Sequence, residues 1–199
     1  MRLQILDNGH SFIQKIQMKM IRTMMGGLLP GPIAIQSYRP DFFGRVYNDT
    51  VLMSLRGTTE WHKSEAELFA AFVSFNNRCN FCFGAHSAIA VKGIDQAVLD
   101  AVFEDWRTAP VNEKIRASLG FLEKLTKTPA EVTDVDVNAV LDAGVSRLGL
   151  EEVIQISFVF SLINRLADAF DFELGDDSSR KRMGLVLYNL GYGLAIVPG

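Results

Sequence analysis

The junction at Asn76-Asn77 constrains this chain more than any other feature. Two helical patterns meet there, and the turn between them carries Arg78-Cys79-Asn80-Phe81-Cys82, a C-x-x-C pair. The usual home of that spacing is a thioredoxin-like fold, which needs βαβ units. Runs of β-branched residues that would build such strands are missing, and apolar residues recur at helical spacing along most of the sequence. The chain therefore reads as all-α with the C-x-x-C at a helix N-terminus. The Asn pair breaks the first helix, and the unpaired N–H groups of the next one favour negative charge at its start.

His86, one of 3 histidines, follows the cysteines. At roughly 100° per residue, Cys79, Cys82 and His86 fall within an arc of roughly 60° on one helix face. At about 1.5 Å rise per residue, His86 stands about 6 Å along the axis from Cys82 and about 10 Å from Cys79. Only Cys82 is then within side-chain reach of the imidazole. A thiol attacks as the thiolate, so it needs a base or a stabilised anion, and His86 can supply the base. A sulfenic acid formed by attack on a peroxide O–O bond condenses with a neighbouring thiol to a disulfide, and Cys79 is placed for that step. Two other readings stay open on the residues alone. The cysteines can be small buried hydrophobes, or part of a structural zinc site, which would require a fourth ligand beyond Cys79, Cys82 and His86.

Extending backward from Cys79, Glu67 completes an E-x11-C-x2-C-x3-H pattern with Cys79, Cys82 and His86. The pattern resembles the alkyl hydroperoxidase D / carboxymuconolactone decarboxylase superfamily, in particular its peroxidase-related subgroup. The likeness extends to residues 35–55, closed by Arg56-Gly57, and to residues 160–170 with Asn164-Arg165-Leu166-Ala167-Asp168. Most of the chain from about Gly31 onward is covered. The resemblance implies an AhpD-like multi-helix domain in which Cys82 reacts with the peroxide, Cys79 resolves it, and Glu67 stands behind His86 in a proton relay. It also implies a homo-oligomer and a dithiol reductant or disulfide-reducing protein as partner. Lactone decarboxylases of the superfamily lack the cysteine pair, so Cys79 and Cys82 argue against that activity. A further histidine that some members carry between the cysteines is replaced here by Phe81. Glu67 also has a local reading: Ser64-Glu65-Ala66-Glu67 fits a capping box with Ser64 as N-cap.

The rest of the chain reads as one helical domain over 1–199, with 1–30 as an N-terminal helical arm. Residues 1–25 place Ile13, Ile16, Met20, Ile21 and Met24 at helical spacing, with Ser11 as cap and Gly26-Gly27 as stop. Lys15, Lys19 and Arg22 interrupt that segment and exclude a signal peptide or a membrane span there. Residues 28–40, with three prolines, read as an irregular connector. Helices are expected over about 41–55, 64–75, 80–91, 95–106, 112–126, 133–143, 151–172 and 178–190, before a Gly- and Pro-containing tail. The helix at 151–172 is the longest and most apolar and should be buried on several sides. Its Arg165 and Asp168, at i, i+3, read as a structural ion pair, an interface clamp, or a lining of the thiol pocket. An echo links Glu65-x11-Asn77-Arg78 to Glu152-x11-Asn164-Arg165, which predicts two similarly packed helical halves.

With 199 residues, 48% hydrophobic and 22% charged content and a net charge of −3, the chain has the profile of a soluble globular protein. Mild acidity and the lack of a basic run longer than Arg180-Lys181-Arg182 argue against nucleic acid. Two cysteines without a secretory leader suit a cytoplasmic, reducing compartment in which a disulfide is transient. The function expected is a thiol-dependent peroxidase acting on hydrogen peroxide or organic hydroperoxides, with no metal, haem or flavin, since the thiols supply the electrons. The rivals are a thiol–disulfide oxidoreductase and a non-catalytic redox-sensing oligomer.

Overall fold

A computed structural model describes residues 9–193, and all their side chains except those of Phe42 and Phe43. Among the described residues the chain is helical throughout, without a strand. In order, the helices are α1 (Phe12–Met24), α2 (Gly31–Tyr38), α3 (Pro40–Phe43), α4 (Arg45–Arg56), α5 (Lys63–Asn76), α6 (Asn80–Ala90), α7 (Gln96–Asp105), α8 (Glu113–Lys127), α9 (Asp134–Asp142), α10 (Arg147–Phe170) and α11 (Asp177–Leu190), with a 3₁₀ turn at Pro129–Glu131. The all-α expectation therefore holds, and Cys79 is the N-cap of α6. Residues 1–8 of the expected N-terminal helix and residues 194–199 of the tail lie outside the described residues.

The middle of α5 is buried without interruption from Ala66 to Ser74, so it is enclosed on every side, as a helix apolar around its circumference must be. α6, α10 and α8 pack around it, and α11 lies against α6. Phe69, Phe72, Leu119, Leu122, Ile156 and Phe160 fill the centre with almost no exposure. α10 is long and apolar enough to cross a membrane by length and composition. Its Val153, Ile156, Val159, Phe160, Ile163 and Ala167 are buried within the protein. The expectation of burial on several sides is only partly met: Ile154, Phe158 and Leu162, one stripe at i, i+4, i+8, face outward.

The turn between α5 and α6 is built from hydrogen bonds rather than bulk. Arg78 takes a left-handed backbone (φ 60), its N–H bonds to the Phe75 carbonyl, and the Cys79 N–H bonds back to that of Ser74. That is a Schellman ending, and it delivers Cys79 directly to the start of α6. Two expectations fail locally. The proline-rich connector contains helix α2, because Pro30 sits at the N-cap and Pro32 in the first turn, where a missing N–H costs nothing. The helix expected from 41 is split at Gly44 into α3 and α4.

Gly184 lets α11 touch α6: a Cβ there would overlap the Ala88 carbonyl of the facing backbone. A Gly184→Ala variant is expected to lose about 1–3 kcal/mol of stability through overpacking. Urea melts will show it, and an unchanged midpoint would mean that α11 can slide without cost.

Candidate functional site

Glu67 lies in the enclosed stretch of α5 and has no solvent exposure. The alternative Ser64–Glu67 box is not what caps this helix. His62 is the N-cap: its Nδ1 accepts from the Ser64 N–H, and Glu65 Oε2 accepts from the His62 N–H at 2.8 Å. Glu67 is thus left for interactions inside the fold. His86 Nδ1 donates to its Oε2 at 2.6 Å, Arg56 Nη1 pairs with its Oε1 at 2.7 Å, and the Tyr192 hydroxyl donates to Oε1 at 2.8 Å. A carboxylate held this way fixes the imidazole tautomer with the proton on Nδ1 and leaves Nε2 as the free face of the ring. Burial pushes the Glu67 carboxyl upward, but His86, Arg56 and Tyr192 outweigh it and hold the group below the ordinary carboxylate range. The Tyr192 phenol is pushed well above its usual range by burial and by the Glu67 charge.

Sequence reasoning missed two of these partners. Arg56 was read only as the residue that closes a helix, yet its guanidinium also donates to the carbonyls of Leu55 and Leu187, which ties α4 to α11. Tyr192 follows the last helix; Gly191, with φ 70, turns the chain back so that the phenol ring lies 4.9 Å from the Arg56 guanidinium carbon. Neither contact has a local sequence signal, since both join segments far apart in the chain. The other two histidines are structural: His62 caps α5, and His10 Nε2 bonds to the Ala34 carbonyl at 2.9 Å.

Both cysteines are reduced and buried. The two thiols hydrogen-bond to each other. The Cys82 thiol, and then the Cys82 backbone N–H, hold the Cys79 thiol below the ordinary cysteine range against burial and the nearby Asp168. Cys82 is pushed well above that range by the same bond, by burial and by the charge on Cys79, while the Asn164 side chain works in the other direction. The pair thus holds one negative charge more readily than either thiol would alone, and it rests on the sulfur at the helix N-terminus.

Asn164 links the helices behind the thiols. It is buried, donates to Ser74 Oγ at 3.0 Å and accepts from Asn77 Nδ2 at 2.9 Å. The two asparagines of the sequence echo therefore meet across the α5–α10 contact. Of the three readings of Arg165 and Asp168, the ion pair is not formed: Arg165 turns back to the Ser161 carbonyl of its own helix. Asp168 stands beside Cys79 instead.

Cys82 and His86 border one cavity of about 100 Å³, and Cys79 lies behind its wall. Ile33, Val51, Phe81, Ile89, Val159, Phe160, Ile163, Met183 and Leu187 make the wall apolar, while Gln36, Tyr47, Asn48 and Tyr192 add polar atoms. The volume approaches the roughly 150 Å³ that accommodates benzene in an engineered protein cavity. Of the three phenylalanines around the motif, only Phe81 reaches this space; Phe75 and Phe83 stack with Phe103 elsewhere. No direct hydrogen bond joins Cys82 to His86 among the described residues; what the two share is the cavity they both border. Among the described residues, no group of three His, Cys, Asp or Glu side chains is placed to hold a metal ion.

No family model matches the chain, and no curated protein matches it. Solved structures do. An uncharacterized peroxidase-related protein from Silicibacter sp. TM1040 aligns with a TM-score of 0.73 and 19% identity over 87% of this chain and 90% of that one. The AhpD core of an uncharacterized peroxidase-related protein from Ralstonia eutropha JMP134 aligns at 0.70 and 23%, over 89% and 92%. The debrominase Bmp8 aligns at 0.68 and 20%, over 86% and 90%, and a cysteine-to-alanine form of it in complex with 2,3,4-tribromopyrrole at 0.68 and 19%, over 88% and 91%. The chain has the all-α fold of the AhpD-like, peroxidase-related proteins.

Proposed function

We propose that the protein is a thiol-dependent peroxidase that reduces small organic hydroperoxides or hydrogen peroxide through a Cys79–Cys82 dithiol–disulfide cycle. The observation that carries this reading is the pairing of two hydrogen-bonded thiols, one of them in the wall of an apolar cavity, with a Glu67-oriented His86 in the same wall. The thiol pair gives up one proton to His86 Nε2, the other shifts along the hydrogen bond from Cys82 to Cys79, and the Cys82 sulfur attacks the distal oxygen of R–O–O–H. The O–O bond breaks, the sulfur becomes a sulfenic acid, and the alkoxide takes the proton back, with His86 Nε2 as carrier. Cys79 then attacks the Cys82 sulfur, water leaves, and a disulfide remains. An external dithiol returns both sulfurs to thiols, so two electrons enter for each peroxide reduced.

The cycle needs no metal or organic cofactor. It belongs to a reducing compartment such as the cytoplasm, where the disulfide is transient. We place the protein in a homo-oligomer: Ile154, Phe158 and Leu162 on α10 and Val46 and Met53 on α4 are exposed, and Val46, Met53 and Phe158 border one shallow groove, an apolar face of the kind that marks an interface. The decisive experiment is hydroperoxide consumption measured against a panel of dithiol donors, with free thiols counted before and after. Consumption coupled to the loss of two thiols is expected, and thiols that survive excess hydroperoxide would refute the reading.

A second reading has one observation behind it, the likeness to a debrominase structure with a halogenated pyrrole. The same dithiol can supply two electrons to an apolar aryl bromide: the carbon takes a proton, bromide leaves, and the disulfide forms. Bromide release from a brominated pyrrole, with hydroperoxides left intact, would select it.

A further inference from the structure

α2 carries a side-chain oxygen that no donor among the described residues satisfies. Gln36 is 5% exposed, and its Oε1 is enclosed without a hydrogen-bond partner among the described residues. Native proteins rarely leave such an oxygen unpaired, because burying it without a donor costs as much as breaking a hydrogen bond. Nor is the helix loosely placed: His10 bonds to the Ala34 carbonyl at 2.9 Å, Gln14 Nε2 to that of Ser37 at 2.5 Å, and Ile35 is part of the main core. Gln36 and Ile33, three residues apart and so on one helix face, both border the cavity that Cys82 and His86 border.

We infer that Gln36 is a specificity-determining residue that selects ligands by a hydrogen-bond donor, its Oε1 accepting an O–H or N–H from a small, otherwise apolar molecule in the cavity. The inference rests on the peroxidase reading for the identity of that donor, the terminal O–H of an alkyl hydroperoxide. That hydrogen sits on the oxygen the sulfur attacks. An acceptor that holds it orients the O–O bond, while the alkyl group lies against Val51, Met183 and Leu187. The electrons and atoms of the cycle are unchanged; Gln36 sets only the direction from which the peroxide is presented.

The test uses the full chain with Gln36→Met, close in shape and without the amide, and Gln36→Leu as a second apolar replacement. Affinities are measured for phenol and for toluene, which differ by an O–H against a methyl group. Phenol should bind about tenfold more weakly to both variants, as expected for one lost hydrogen bond of about 1.4 kcal/mol, while toluene stays within about twofold. Thermal midpoints should be equal or higher, since the substitution removes an unpaired buried oxygen. Turnover of tert-butyl hydroperoxide should fall about tenfold in kcat/KM, and the rate with 4,4′-dithiodipyridine, which has no donor, should be unaffected. Phenol and toluene affinities that are both unchanged, or that fall together, would overturn the assignment of Gln36. A wild-type protein that separates phenol from toluene through Gln36 but consumes no hydroperoxide would uphold the assignment and overturn the peroxidase reading instead.

Discussion

A Cys82→Ser variant is expected to consume no hydroperoxide above the uncatalysed rate, whereas Cys79→Ser loses turnover but still forms one equivalent of sulfenic acid that dimedone traps. The prediction sets two physical quantities against each other. Charge favours Cys79, which sits at the N-terminus of α6 and is held below the ordinary thiol range. Access favours Cys82, the sulfur in the cavity wall. Access should prevail, because moving the proton along the hydrogen bond between the sulfurs is a small displacement, while bringing a peroxide to Cys79 would require opening a packed wall. The pH dependence follows with a definite sign. In the native pair, single-turnover oxidation should rise with a midpoint below the free-cysteine value of about 8.5, since the first proton leaves a stabilised pair. In Cys79→Ser the midpoint should move upward, because the first charge can no longer rest on the sulfur at the helix N-terminus and must form on Cys82, whose burial disfavours it. Sulfenic acid trapped on Cys82→Ser but not on Cys79→Ser would reverse the roles.

The parts of this site that the sequence made legible share one property: they are set by spacing within a single helix. Cys82 and His86 border one cavity because a four-residue step returns to the same face. Cys79 reaches the helix start because Asn76-Asn77 cannot continue α5. Glu67 was legible only through the resemblance, since its local context fits a cap equally well; the cap went to His62 and Glu65 because an imidazole nitrogen accepts the N-terminal N–H as a hydroxyl would. Arg56, Gln36 and Tyr192 had no such spacing to betray them, as they come from α4, from α2 and from beyond α11 and meet the thiol helix only through tertiary packing. α2 itself was hidden by its prolines, which mark a helix start as readily as a loop. On α10 the i, i+3 step of Arg165 and Asp168 was read correctly. Their partners were not, because a step along one helix does not reveal what the neighbouring helix offers.

Replacing Glu67 by glutamine should produce the largest combined loss. The carboxylate is fully buried and faces a guanidinium that is itself 14% exposed, so its removal leaves an uncompensated buried charge, at a cost of about 3–5 kcal/mol. The acid dependence gives a second, independent reading. The folded-state carboxyl lies below its ordinary range, so its stabilisation is complete above the unfolded pKa of about 4.3 and is lost as pH falls through the folded value. The stability gap between wild type and Glu67→Gln, taken from urea melts, should be full at pH 7 and narrow as the pH is lowered past about 4. A gap that stays constant would mean the carboxylate is not the stabilising species. Turnover should fall about 10–100-fold, the scale seen when the carboxylate that orients a metal-bound histidine is removed. A double variant, Arg56→Met with Glu67→Gln, separates the two losses: with neither charge left to bury, most of the stability should return, while His86 still lacks its orienting carboxylate and turnover stays low. If stability and turnover recover together, Glu67 acts only as the counter-ion of Arg56, and the relay through His86 is not part of the chemistry.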